Sequence, residues 1–221
     1  GVEYVYNRKP EQLDWIIDRI EKNRNQPSYN AEQKLRMFSK LNDAVEFEAF
    51  VHKKFVGQKR FSLEGGESLI PAIYALVEKG SELGVKEMVV GMAHRGRLNM
   101  LANIFKKPAE SIFTEFEGKG YESDDFDGDV KYHLGSTHSI TTNKGNNMHL
   151  TLAPNPSHLE AVGPVVEGIT RAKIDNILDS EQEALPVIIH GDASVSGQGV
   201  VYEVVQMAQL NGYKTGGTIH I

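Results

Sequence analysis

The sequence predicts an α/β protein: an N-terminal helical segment over residues 1–67, then a mainly parallel sheet flanked by helices over residues 68–221. Three observations predict it. From Lys86 onward short apolar runs alternate with helical patterns, which is the texture of a parallel sheet. One of those runs, Leu185 to Ile189, leads straight into His190, Gly191 and Asp192, as a strand buried on both faces does at its ligand-facing end. The first sixty residues instead place apolar side chains at helical spacing between charged ones.

Taken in order, Leu13, Ile16, Ile17 and Ile20 mark an amphipathic helix within residues 12–25. Asn30 followed by Gln33 reads as a capping box that opens a second helix. Its apolar stripe is expected at Leu35, Phe38, Leu41, Val45 and Phe50, running toward Phe55. KRFSLEGGES, Lys59 to Ser68, breaks that pattern with two glycines before a third helix carrying Leu69, Ile73, Leu76 and Val77. The strand candidates are residues 87–91, 149–153, 186–190 and 217–221, with helices starting near Gly96, Pro108, His158 and Gly199. Residues 118–147 read as one long polar loop, and a loop of that length in a compact domain is usually functional or disordered.

With 221 residues, 40% of them hydrophobic, the chain can bury a substantial core. A net charge of -6 and a pI near 5.8 argue against a general nucleic-acid or anionic-membrane surface, so an anionic ligand would need a local pocket. The absence of cysteine from these residues removes a disulfide framework and thiolate metal sites, and fits a reducing compartment. No run approaches the ~18 apolar residues of a membrane span, and the first residues lack the apolar centre of a signal peptide. Beginning at Gly1 and stopping at Ile221 inside a predicted strand, the chain is expected to be a fragment.

Several motifs are set aside by counting. The acidic cluster Asp124, Asp125, Asp127 and Asp129 suggests a calcium loop, but from Asp125 the sixth position is Val130 and the twelfth Ser136, where an EF-hand needs glycine and glutamate. It reads as a solvated acidic face. GxxxxGK[ST], a GxGxxG after a strand, and HExxH are all missing.

Three strand ends do carry chemistry. GMAHRGRLNML places His94, Arg95 and Arg97 between a strand and a helix, where imidazole and guanidinium groups suit a carboxylate or phosphate. In LTLAPNPSHLEAVG, Asn155 or Ser157 is expected to cap the next helix, leaving amides free for a diphosphate. Asp192, just past the buried strand, can offer a carboxylate oxygen to magnesium, which completes its shell with phosphate oxygens. Each alone also fits an ordinary turn or helix cap. Their convergence at one sheet edge points to an anionic cofactor with a divalent metal.

KRFSLEGGES, GMAHRGRLN, DVKYHLG, NPSHLE and HGDASVSGQGVV, in this order, resemble the first, decarboxylating component of the 2-oxoglutarate dehydrogenase complex. The resemblance covers about Phe55 to Ile221 and implies the first part of a thiamine-diphosphate-binding fold. It implies Asp192 as a magnesium ligand, Ala193 beside the diphosphate, Ser157 and Leu159 as contacts at the helix start, and Arg95 as a cofactor-contacting arginine. His94 and His133 match active-site histidines associated with the 2-oxo acid. The strand end reads GDA where many thiamine enzymes have GDG, a change the oxoglutarate branch itself shows. The second metal ligand, an asparagine, and the glutamate that activates the cofactor would both follow Ile221.

The implied activity is oxidative decarboxylation of 2-oxoglutarate with thiamine diphosphate and magnesium. The succinyl group would pass to the lipoyl group of the dihydrolipoyl succinyltransferase component. The resemblance further implies a homodimeric parent in bacterial cytoplasm or the mitochondrial matrix, with neither nucleic acid nor membrane as partner. Carrying half a metal site, the isolated chain is expected to be inactive. A relative acting on 2-oxoadipate and a non-catalytic scaffold stand as alternatives.

Overall fold

The computed structural model describes residues 3–4, 9–116, 133–191 and 193–221. The acidic cluster at Asp124 to Asp129 lies outside them. The elements are α1 (Pro10–Glu21), α2 (Ala31–Lys54), α3 (Leu69–Glu82), β1 (Glu87–Met92), α4 (Arg97–Asn103), α5 (Ala109–Phe116), β2 (Ser136–Thr141), β3 (Asn147–Leu152), α6 (Val162–Asn176), β4 (Ala184–Ile189), α7 (Ser194–Gly197), α8 (Gly199–Met207) and β5 (Ile219–His220). The chain forms two compact units, Gly1–Phe38 and Ser39–Ile221.

In the first unit α1 starts with proline at its first helical position, where the missing N–H costs nothing. The capping box is as expected: Asn30 N donates to Gln33 Oε1 at 3.0 Å, and Gln33 N to Asn30 Oδ1 at 2.8 Å. Arg19 lies over the Trp15 ring at 3.6 Å, a cation–π contact on an exposed face.

In the second unit the sheet has five strands in the order β2-β3-β1-β4-β5. β3, β1, β4 and β5 run parallel, and β2 closes one edge antiparallel to β3. β2 is a correction to the long polar loop. Ser136–Thr141 alternates half-buried and exposed residues, with Ile140 packed on the core, and a tight turn with Gly145 at φ +84° returns the chain into β3. Polar side chains on a two-sided edge strand hide that alternation from a reading based on hydropathy.

Strand alternation divides the core into two layers. Met88, Val90 and Met92 of β1 pack with Ile70, Ile73 and Val77 of α3, Leu98 and Leu101 of α4 and Ile112 of α5. Val89, on the opposite face, packs with Ile188 and with Val162 and Val166 of α6. Each fully buried aliphatic side chain contributes about 1.5–3 kcal/mol. At Gly91 the side chains of α6 fill the space a Cβ would take: one there would lie 2.5 Å from Val166 Cγ2.

The buried side of α2 differs from the expected stripe. Ala44, Glu48 and Val51 are buried, whereas Leu41 and Val45 are exposed; Phe50 is about half exposed and packs against the Phe113 ring. The buried glutamate shifts the core-facing line away from the one that apolar residues suggest, because its carboxylate is satisfied by hydrogen bonds. Among the described residues no helix is long and apolar enough to cross a membrane.

Candidate active site

A cleft opens at the carboxyl ends of β1, β3 and β4, lined by His94, Asn155, Ser157, Leu159, Gly191 and Ser194 among others. In this strand order the chain goes from β1 to β3 on one side and then crosses to β4 on the other, so the cleft lies where connections part. Three turns build it.

The first turn follows β1. Gly96 has φ +77°, which is why this reversal takes glycine, and a Cβ there would push the tip of the Leu63 side chain, whose Cδ1 lies 2.7 Å from its position. It leaves His94 on the cleft side and Arg95 exposed, with Arg95 Nη1 donating to Ser62 O at 3.1 Å. Arg97 corrects the expectation of an anion-binding guanidinium. It is fully buried and donates to Met92 O at 3.3 Å and to Leu134 O and Ala153 O, both at 2.7 Å. It therefore ties the end of β1 to the chain before β2 and after β3.

The second turn follows β3, and here the expected cap is replaced. α6 begins only at Val162, with Ala161 as N-cap and no side-chain cap bond. Asn155 and Ser157 turn to histidines instead: Asn155 Nδ2 lies 3.5 Å from His94 Nδ1, and Ser157 Oγ 2.9 Å from His133 Nε2. Glu160 delays the helix with φ +63°, which carries its buried carboxylate to His190 Nδ1 at 2.7 Å and to the Ser194 hydroxyl. A carboxylate only accepts, so His190 Nδ1 bears the proton, and in the neutral ring Nε2 accepts from His220 Nδ1 at 2.8 Å. Burial lowers the pKa of His220, and its neighbour His190 adds to that.

His94 and His133, far apart in sequence, meet here with ring centroids 5.6 Å apart and planes at 87°. His133 is buried, and its carbonyl accepts from Asn155 N at 2.9 Å, which ties both histidines to the turn after β3. The pKa of His94 is lowered, first by burial and then by His133, Arg97 and Arg95. The ring is therefore neutral around pH 7. With Asn155 placed to donate to Nδ1, its Nε2–H is the donor left for a ligand.

The third turn follows β4. Gly191 and Ser194 line the cleft, and α7 adds one helical turn ahead of α8. Ala193 is exposed beside it. Asp192, expected as the metal ligand, lies outside the described residues. Among the described residues no group of three or more histidine, cysteine, aspartate or glutamate side chains could hold a metal by itself. Of the expected site residues, the fold brings His94, Ser157 and Leu159 to one cleft, with buried His133 against His94 and Ser157, while Arg95 points to Ser62. Asn155 was legible only as a possible cap, and Glu160 carried no signal as an acidic residue in a helical pattern.

A mainly parallel sheet with paired histidines and serine-bearing turns at one edge defines an α/β domain with a polar cleft, and sequence comparison says of which kind. Residues 39–221 match the family described as Dehydrogenase E1 component, and the chain belongs to it. It is 51% identical to the multifunctional 2-oxoglutarate metabolism enzyme of Mycolicibacterium vanbaalenii. It is 46% identical to the 2-oxoglutarate dehydrogenase E1 component of Azotobacter vinelandii, and 47% identical to the mitochondrial 2-oxoglutarate dehydrogenase of Saccharomyces cerevisiae. Each match covers all of this chain, and the chain spans 18%, 23% and 22% of the three relatives respectively.

Proposed function

We propose that the protein containing this chain decarboxylates 2-oxoglutarate with thiamine diphosphate and magnesium and passes the succinyl group to the lipoyl group of a dihydrolipoyl succinyltransferase partner. The observation that carries the reading is the His94–His133 pair at the end of β1 beside the Ser157 turn, in a chain of this family. The donors of the cleft suit an anionic cofactor: a serine hydroxyl, imidazoles and the backbone of two turns. Glu160, an acidic side chain in the lining, has its oxygens turned to His190 and Ser194, which reduces its repulsion of a phosphate.

Ser157, Leu159 and Ala193 would hold the diphosphate end, with Arg95 near its rim and Asp192 as a magnesium ligand. Thiamine diphosphate, when bound, supplies the electron sink that lets a 2-oxo acid lose carbon dioxide. The chain's own residues orient and donate. Neutral His94 presents Nε2–H to a substrate oxygen, while His133, held by Ser157, moves or holds a proton as charge develops. The domain division is proposed as a helical segment at residues 1–67 preceding the diphosphate-binding part at 68–221, in a homodimeric parent.

Carbon dioxide release by the full-length protein tests this with a panel of 2-oxoglutarate, 2-oxoadipate and 2-oxovalerate, with and without thiamine diphosphate and magnesium. Cofactor-dependent turnover highest on 2-oxoglutarate is expected. Preference for 2-oxoadipate would move the substrate, and no cofactor-dependent release from any of the three would overturn the reading.

A further inference from the structure

Phe61 adopts φ +44°, a left-handed conformation that is costly for a bulky L-residue. Such strain persists where the surroundings over-determine it, and it concentrates at functional sites. Here the surroundings are a buried carboxylate. Glu48 of α2 accepts from Arg60 Nη1 at 2.6 Å, Ser62 Oγ at 2.9 Å, Leu63 N at 3.1 Å and Asn99 Nδ2 at 3.1 Å. It thus clamps the residues on both sides of Phe61 to α2 and α4. From the cleft side, Gly96 N donates to Phe61 O at 2.9 Å and Arg95 to Ser62 O. Between these anchors the Phe61 ring meets His94 edge to face, with centroids 4.8 Å apart and planes at 75°.

We propose that Phe61 is a positioning residue for His94, held in a strained backbone by the Glu48 clamp so that its ring covers one side of the imidazole and sets it across His133. Three of the four donors on this buried carboxylate, Arg60, Ser62 and Leu63, flank Phe61 in the segment between α2 and α3, and the fourth, Asn99, comes from α4, so the network fixes the backbone of the residue that touches His94. The inference rests on the proposed role of His94.

The charged and titratable groups facing His94 are Arg95 and Arg97 on its own turn and His133 before β2, with His158 and Glu160 also lining the cleft. The three basic neighbours and burial all disfavour the imidazolium, and the Phe61 ring supplies part of that burial. A ring acting instead as a cation–π partner would favour the imidazolium. The two roles give opposite signs.

The test is the pH dependence of diethyl pyrocarbonate acylation at His94, followed by peptide mass spectrometry on the full-length protein without cofactor. Only neutral imidazole reacts, so the midpoint reports its protonation. In Phe61→Ala the midpoint is expected to move up toward the ordinary imidazole range, and in Phe61→Leu to move up by less. The kcat/KM for the 2-oxo acid should fall about 10- to 100-fold in Phe61→Ala, as for a misplaced catalytic group. Its acid limb should move up with the acylation midpoint. A midpoint unchanged or lowered in Phe61→Ala overturns the proposal; if that variant does not fold, the same outcomes in Phe61→Leu decide it. Parental kinetics in His94→Ala would sink the proposed role of His94 and this inference with it. An impaired His94→Ala beside an unshifted Phe61→Ala would sink this inference alone.

Discussion

Replacing Arg97 by methionine separates the two roles that a guanidinium at a strand end can have. Methionine keeps most of the stem volume, so the change is chiefly the loss of donors to Met92 O, Leu134 O and Ala153 O. Leaving a buried carbonyl without its partner costs about 1–3 kcal/mol. The two 2.7 Å bonds therefore put the loss near 4 kcal/mol, the longer bond to Met92 adding less. For a domain of this size 1 kcal/mol shifts the melting temperature by about 2–4 °C, so a fall of roughly 8–16 °C is expected. Differential scanning calorimetry on the full-length protein reads it in the transition that contains this domain. A variant that melts within about 2 °C of the parent while losing cofactor or substrate affinity would refute the structural assignment and return Arg97 to the ligand.

Other perturbations follow from the same geometry. Gly96→Ala places an L-residue at φ +77° with its Cβ against Leu63, and should destabilise by about 1–2 kcal/mol or more in thermal unfolding, with the histidine cleft disturbed. In the full-length protein Asp192→Ala should weaken magnesium-dependent cofactor binding without unfolding, which titration against a circular dichroism control would show; unchanged affinity would place Asp192 in a plain turn. Lowered in the folded chain, the pKa of His94 lets the unfolded state bind the proton first as pH drops. Its share of stability is thus complete above about pH 6.5 and is lost as pH falls from there through the folded value, which a comparison of urea unfolding of parent and His94→Gln across that window would detect.

The parts of the fold that could be read from sequence are those where one physical signal dominates. β4 announces itself because a strand buried on both faces must be apolar throughout, and the capping box because two side chains must reach back three residues. β2 was hidden because an edge strand has one ladder and little hydrophobic demand. The candidate site was legible as residue types at or near strand ends, His94, His133 and Ser157 among them, but not in its wiring. Nothing local tells a serine after PNP whether to cap a helix or to hold a histidine 24 residues earlier; the left-handed backbone at Glu160 decides that by delaying α6. Arg97 was misplaced and Glu48 passed over for one reason: a charged side chain reads as surface or ligand unless its buried partners, all distant in sequence, are known.

Steady-state kinetics of His133→Ala and His94→Ala in the full-length protein, on 2-oxoglutarate and 2-oxovalerate, test the central reading of the cleft most directly. Loss of a proton-transferring group lowers turnover by about 10²–10⁴-fold, whereas loss of a binding contact appears mainly in the Michaelis constant. His133→Ala should therefore lose turnover on both substrates, and His94→Ala should lose preference for the dicarboxylate with a smaller fall in rate. Parental turnover and parental selectivity in both variants would make the two histidines packing residues and contradict the account.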